Sequence, residues 1–125
     1  MTGQPNGTAR RRPGTDDGVC TELLGLPGRS EPSESRPSAS IAFDDDATAK
    51  VVVFEFAAGQ ELREHAAAHP ILVQVVRGAV EFDVSGREIS MGVGDTVHLT
   101  SRLRHAVRAI EPTTLTVTML LGGST

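Results

Sequence analysis

The chain has 125 residues, enough for one domain and too few for two with separate cores. With 12 Lys+Arg against 16 Asp+Glu the formal charge is −4, which leaves no basic face to neutralise nucleic-acid or membrane phosphates. A single cysteine, Cys20, rules out an internal disulfide and any multi-cysteine zinc or CxxC redox site, and four Phe without Tyr or Trp offer no aromatic platform for bases or sugars.

Residues 1–37 are crowded with Gly, Pro, Ser, Thr and Arg and hold one short apolar cluster, Leu23, Leu24 and Leu26. So little apolar surface does not offset the entropy of ordering the segment, and it reads as a flexible, mostly disordered tail. The Leu cluster can dock on the domain as a short strand or turn. The run Arg10-Arg11-Arg12 is followed by Pro13-Gly14-Thr15-Asp16-Asp17 rather than by an apolar stretch, so it reads as solvated chain and not as an export signal. No apolar run approaches the ~18 residues of a membrane span. The compartment expected from these features is the cytoplasm.

Residues 38–125 form the expected domain, and their signal is the period-two alternation of half-buried strands. The run from Lys50 to Phe56 is β-branched and aromatic and stops before Gly59. Pro70 opens the run Ile71 to Val76, apolar on both faces as a central strand would be. From Ala79 to Val84 the chain alternates, placing Val80, Phe82 and Val84 on one side and the acids on the other. Ser85-Gly86 is a hairpin turn, and Ile89 and Met91 continue the alternation to a second turn at Gly92-Val93-Gly94-Asp95. Three further strands cover residues 96–100, 103–110 and 113–121, the last alternating Leu115, Val117, Met119 and Leu121 with threonines. Short strands with turn signals every eight to twelve residues and no helical period mean an all-β sandwich or barrel.

The four histidines carry the chemistry. Gly59 is followed after five residues by His65, then by His69, Pro70 and a strand ending at Gly78; Gly94-Asp95 precedes His105. This arrangement resembles the two motifs of the cupin superfamily, Gly-x5-His-x-His-x3,4-Glu-x6-Gly and Gly-x5-Pro-x-Gly-x2-His-x3-Asn, over roughly residues 40–121. Gly59, His65 and Gly78 fall at the first motif's places, and Gly94 and His105 at the second's. The resemblance implies a single cupin-type jelly-roll β-barrel in which the two hairpins bring their histidines together. It further implies one divalent ion (Zn, Fe, Mn, Ni or Cu) held by imidazole and carboxylate. The chain departs from the pattern where the second His is Ala67, the Glu is Ile71, and the second motif's Pro, Gly and Asn are Thr100, Arg102 and Ala109.

A metal site would therefore be built from His65, His69 and His105. On a straight strand residues 65 and 69 stand ~13 Å apart, so His69 joins only if 66–68 bend or bulge. The alternation turns His105 inward with Leu103, Val107 and Ala109 and turns Arg104 and Arg108 to water. His98 alternates with Val97 and Leu99 and points outward. Glu61 and Glu64 read as solvated carboxylates, and Asp44-Asp45-Asp46 as an exposed turn. The expected function is a small-molecule-binding cupin, in one version a divalent-metal-dependent enzyme acting on a small organic substrate. The alternative is a metal-free ligand-binding or regulatory cupin, favoured by Ala67 and Ile71. The partners expected are a small ligand or substrate and a second copy in a homodimer, with the terminal strand 113–121 as the pairing edge; nucleic acid and membrane are not among them.

Overall fold

The structure is a computed structural model and describes residues 13–122. It contains nine strands and, among the described residues, no helix. In chain order they are β1 (Ser38–Asp45), β2 (Ala49–Phe56), β3 (Glu61–His65), β4 (Ile71–Arg77) and β5 (Ala79–Val84), then β6 (Arg87–Gly92), β7 (Thr96–Leu99), β8 (His105–Ala109) and β9 (Thr113–Leu120). They build a five-stranded sheet in the order β1-β2-β9-β4-β7 and a four-stranded sheet in the order β3-β8-β5-β6, every pairing antiparallel. The sheets face each other as a jelly roll without joining edge to edge into a closed barrel.

Alternation decides which side chains enter. Ile71, Val73 and Val75 of β4, Val80 and Phe82 of β5, and Val107 and Ala109 of β8 are buried in one cluster between the sheets, with Leu115 of β9 and Met91 of β6. Each large member contributes about 1.5–3 kcal/mol on leaving water. The hairpin between β5 and β6 turns on Ser85 (φ 52°) and Gly86 (φ 79°), two consecutive left-handed residues whose twist matches that of the flanking strands. Gly78 is fixed for a different reason. Its φ is +93°, and a Cβ there would overlap the Pro112 carbonyl oxygen and Thr113.

Two expectations change. The last strand is not an edge: β9 lies between β2 and β4 and pairs with both, because residues 113–120 complete the register of each neighbour. The free edges are β1 and β7 in one sheet and β3 and β6 in the other. Second, the segment expected to be free up to residue 37 is fastened over its last ten residues. Gly28 N–H donates to the Glu55 carboxylate at 2.7 Å, Gln60 donates through Nε2 to the Ser33 carbonyl at 2.8 Å, and the Ser30 and Ser38 hydroxyls lie 2.7 Å apart. Polar groups of the sheet hold this strap, so its poor apolar content did not announce it. Leu23 and Leu26 are half-buried and Leu24 is exposed, with no strand there. The Arg10–Arg12 run lies outside the described residues.

Candidate functional site

The site grows from the pairing of β3 with β8. Their register shifts between Leu62 and His65, and this irregularity sets His65 directly opposite His105. The two rings sit 4.2 Å apart between centroids, inclined by 59°. His105 is buried and stacks on Phe82, at 5.7 Å and 16°. His65, on the neighbouring edge strand of the same sheet, is exposed.

Both rings are oriented by backbone carbonyls. His65 Nδ1 lies 2.9 Å from the Arg63 carbonyl oxygen and His105 Nδ1 lies 3.0 Å from that of Leu103. A carbonyl oxygen only accepts, so in each ring Nδ1 carries the proton it donates, and the neutral form of the ring then keeps its lone pair on Nε2. Burial, opposed in part by the Leu103 carbonyl and reinforced by the facing His65, lowers the His105 pKa below its ordinary 6.5. His105 is therefore a neutral imidazole at pH 7.

The rings line a cavity of about 230 Å³ whose remaining wall is apolar. Phe54, Leu115, Val117 and Met119 come from β2 and β9, Ile71 and Val73 from β4, and Leu62 and Ala67 from β3 and the loop after it. Ala67 and Ile71 thus occupy the same cavity as the histidines, at the very places where the resemblance implies a second His and a Glu. A methyl and a butyl group stand where ligand atoms would be.

His69, expected as a third ligand, is exposed in a bend after β3 and is not part of the cavity wall. Residues 66–68 do leave the strand, and the Ala67 carbonyl accepts a hydrogen bond from Arg102 N–H at 2.7 Å, but the turn presents Ala67 to the cavity rather than His69. Among the described residues no group of three or more His, Cys, Asp or Glu is placed to hold a metal. The side chains present do not fit a resident ion with an all-protein ligand set, which takes three or four. His98 is exposed, Glu61 is exposed, and Asp44 and Asp45 close β1 at an exposed turn, as their patterns predict. The chain missed at the sequence level is the apolar half of the site. Phe54, Val117 and Met119 read only as strand interior, and nothing in their spacing tells a cavity wall from a filled core.

Two facing antiparallel sheets, with a histidine pair on the neighbouring strands β3 and β8 of one of them, define a double-stranded β-helix domain. The family profile described as Cupin domain matches residues 52–121, and the chain belongs to that family. No curated protein matches the chain. Solved structures do. An RmlC-like cupin from Desulfovibrio desulfuricans is 24% identical with a TM-score of 0.74, over 82% of this chain and 98% of that one. An uncharacterised protein with a double-stranded β-helix domain from Klebsiella pneumoniae is 20% identical with a TM-score of 0.73, over 84% and 94%. The salicylate 1,2-dioxygenase of Pseudaminobacter salicylatoxidans is 18% identical with a TM-score of 0.62, over 66% of this chain and 26% of that one. At these identities the likeness is one of fold. Among the described residues no helix is long and apolar enough to cross a membrane.

Proposed function

We propose that this cupin binds a small, mainly apolar molecule between its sheets and grips the molecule's polar end with His65 and His105, without a resident metal. The observation that carries this is the pair of facing imidazoles, ring centroids 4.2 Å apart, in a cavity otherwise walled by apolar side chains. In its neutral, Nδ1-protonated form each ring offers an Nε2 lone pair, so the pair accepts hydrogen bonds. The complementary ligand carries a hydroxyl or similar donor on an apolar body. At about 230 Å³ the cavity suits a body no larger than a single ring or short branched chain, below the roughly 300–1,000 Å³ of drug-sized sites. The apolar wall supplies affinity and the buried acceptor on His105 supplies specificity, since a ligand lacking the donor leaves it unpaired.

A second reading has one specific observation in its favour. Carbonyl-bound Nδ1 and free Nε2 is also the arrangement by which proteins orient histidines toward metals. Two such nitrogens would hold a divalent ion if a substrate supplied the remaining donors, and the ion would then polarise that substrate.

Elemental analysis of the purified protein, with NMR of the histidine ring nuclei during titration with phenol, tests both. The expected result is substoichiometric metal and saturable shifts of the His65 and His105 signals, lost in His65→Ala. Near-stoichiometric metal that disappears in His65→Ala overturns the metal-free proposal in favour of the second reading. Absence of any saturable shift with phenol overturns the proposed ligand class.

A further inference from the structure

A second, larger cavity lies where the two sheets part. β6 is an edge of the four-stranded sheet and β7 an edge of the five-stranded one, and the chain crosses between them through the turn at 92–95. That turn pins the seam at one end: Gly94 N–H donates to the Val75 carbonyl at 2.9 Å, and Val75 N–H donates to the Asp95 carbonyl at 3.1 Å. Away from the turn, toward the start of β6 and the end of β7, no backbone hydrogen bond among the described residues joins the two edges. There the interior opens as a cavity of about 470 Å³.

Its floor is apolar: Phe82 and Val84 of β5, Ile89 of β6, Val97 and Leu99 of β7, and Leu103 from the loop before β8. Its charged and titratable lining comes from Arg87 and His98 alone. Arg87 has the same parity as Ile89 and Met91, so it stands on the inward-facing side of its strand, exposed because it opens β6 beside the hairpin turn. The acids of the same hairpin are segregated from it by parity. Glu81, Asp83 and Glu88 line a separate depression on the outer face of the sheet. In a chain of net charge −4, an apolar chamber rimmed by a guanidinium and an imidazole, with no carboxylate in its wall, is complementary to an anion with an apolar tail.

We propose that the β6–β7 seam is a binding site for a free alkyl carboxylate. The tail lies on Phe82, Ile89, Val97 and Leu99, and the carboxylate meets Arg87 at the mouth, where a planar guanidinium matches a carboxylate in two parallel hydrogen bonds. His98 lines the same cavity as a second donor. This site is distinct from the one between His65 and His105, although Phe82 lines both.

The test is calorimetric titration of the full chain with octanoate and, separately, with 1-octanol, repeated with Arg87→Glu and with His65→Ala. Arg87 is exposed, so its replacement leaves the core intact. Expected are saturable octanoate binding, weaker binding of octanol by about tenfold, and loss of that preference with at least tenfold weaker octanoate binding in Arg87→Glu. That tenfold corresponds to the about 1.4 kcal/mol per decade of affinity. His65→Ala should bind octanoate as the unaltered chain does. Octanoate binding that survives Arg87→Glu unchanged, or that is lost in His65→Ala, overturns the proposal, the latter by placing the molecule in the histidine cavity. No saturable octanoate binding overturns it as well. The phenol titration of the histidines stands or falls separately from all three.

Discussion

Replacing Gly78 by alanine tests how tightly the β4–β5 junction is built. The new Cβ would overlap the Pro112 carbonyl oxygen and the Thr113 hydroxyl and come within 2.8 Å of Thr113 Cα. Two of these three atoms are backbone and do not swing aside. The Thr113 hydroxyl is itself committed, accepting from Ala79 N–H at 3.2 Å and lying 3.1 Å from the Ala79 and 2.7 Å from the Glu111 carbonyl oxygens. A non-glycine φ of +93° costs of order 1–3 kcal/mol. Displacing a buried hydroxyl that serves Ala79 and Glu111 costs about 1–3 kcal/mol more. The sum, roughly 2–6 kcal/mol, is a large part of the ~5–15 kcal/mol that holds such a domain together. Urea unfolding should show a midpoint lowered by about 1–3 M at a mid-range slope of ~2 kcal/mol/M. Gly59→Ala is the control. Its φ is +85°, yet nothing lies within 4 Å of the added atom, so only the backbone term of roughly 1–3 kcal/mol remains. Equal midpoint shifts for the two variants would refute the reasoning, because the close approach of residues 112–113 would then contribute nothing.

Because the His105 pKa is lowered in the folded chain, the unfolded chain binds the proton more readily. The stability from keeping this ring neutral is complete above pH 6.5 and is lost as pH falls through the folded value. Urea midpoints measured from pH 7.5 down to pH 5 should fall, and the part of that slope due to His105 should vanish in His105→Gln. Glu55→Ala removes the acceptor for the Thr114 hydroxyl at 2.8 Å and for Gly28 N–H at 2.7 Å. With Thr114 fully buried, a loss of about 1–3 kcal/mol is expected in unfolding experiments, together with faster hydrogen exchange at Gly28. Ala67→His puts a third imidazole on the wall shared with His65 and His105; zinc affinity measured by competition with a chromophoric chelator should rise at least tenfold.

Much of this was legible because strand parity is a local property. The inward placement of Phe82 and His105 and the outward placement of Arg104 and Arg108 follow from counting by twos, and the structure agrees; His98, read as outward, is exposed but lines the seam cavity. The meeting of His65 with His105 was legible only through the motif resemblance, since the pairing joins residues forty apart. What the sequence concealed is non-local or irregular. Strand β3, Glu-Leu-Arg-Glu-His, has one apolar residue because it is an edge, so it shows no alternation. Whether His69 or Ala67 faces the cavity depends on how the chain bends after His65, which no spacing rule decides. The strap from Gly28 to Ser38 rests on carboxylate and amide hydrogen bonds, to which hydrophobic patterning is blind. The seam cavity exists only because two edges diverge.

The position of β9 has a consequence for how the molecule comes into being. The hairpin of β1 with β2 and the pair β4 with β7 belong to the same sheet, yet they touch each other's partners only through residues 113–120. Until residues 113–120 join them, β1–β2 and β4–β7 are two separate ribbons with unsatisfied inner margins, awaiting the strand that fits between. Such late, long-range closure slows acquisition of the native state and leaves sticky strand margins open to other chains meanwhile.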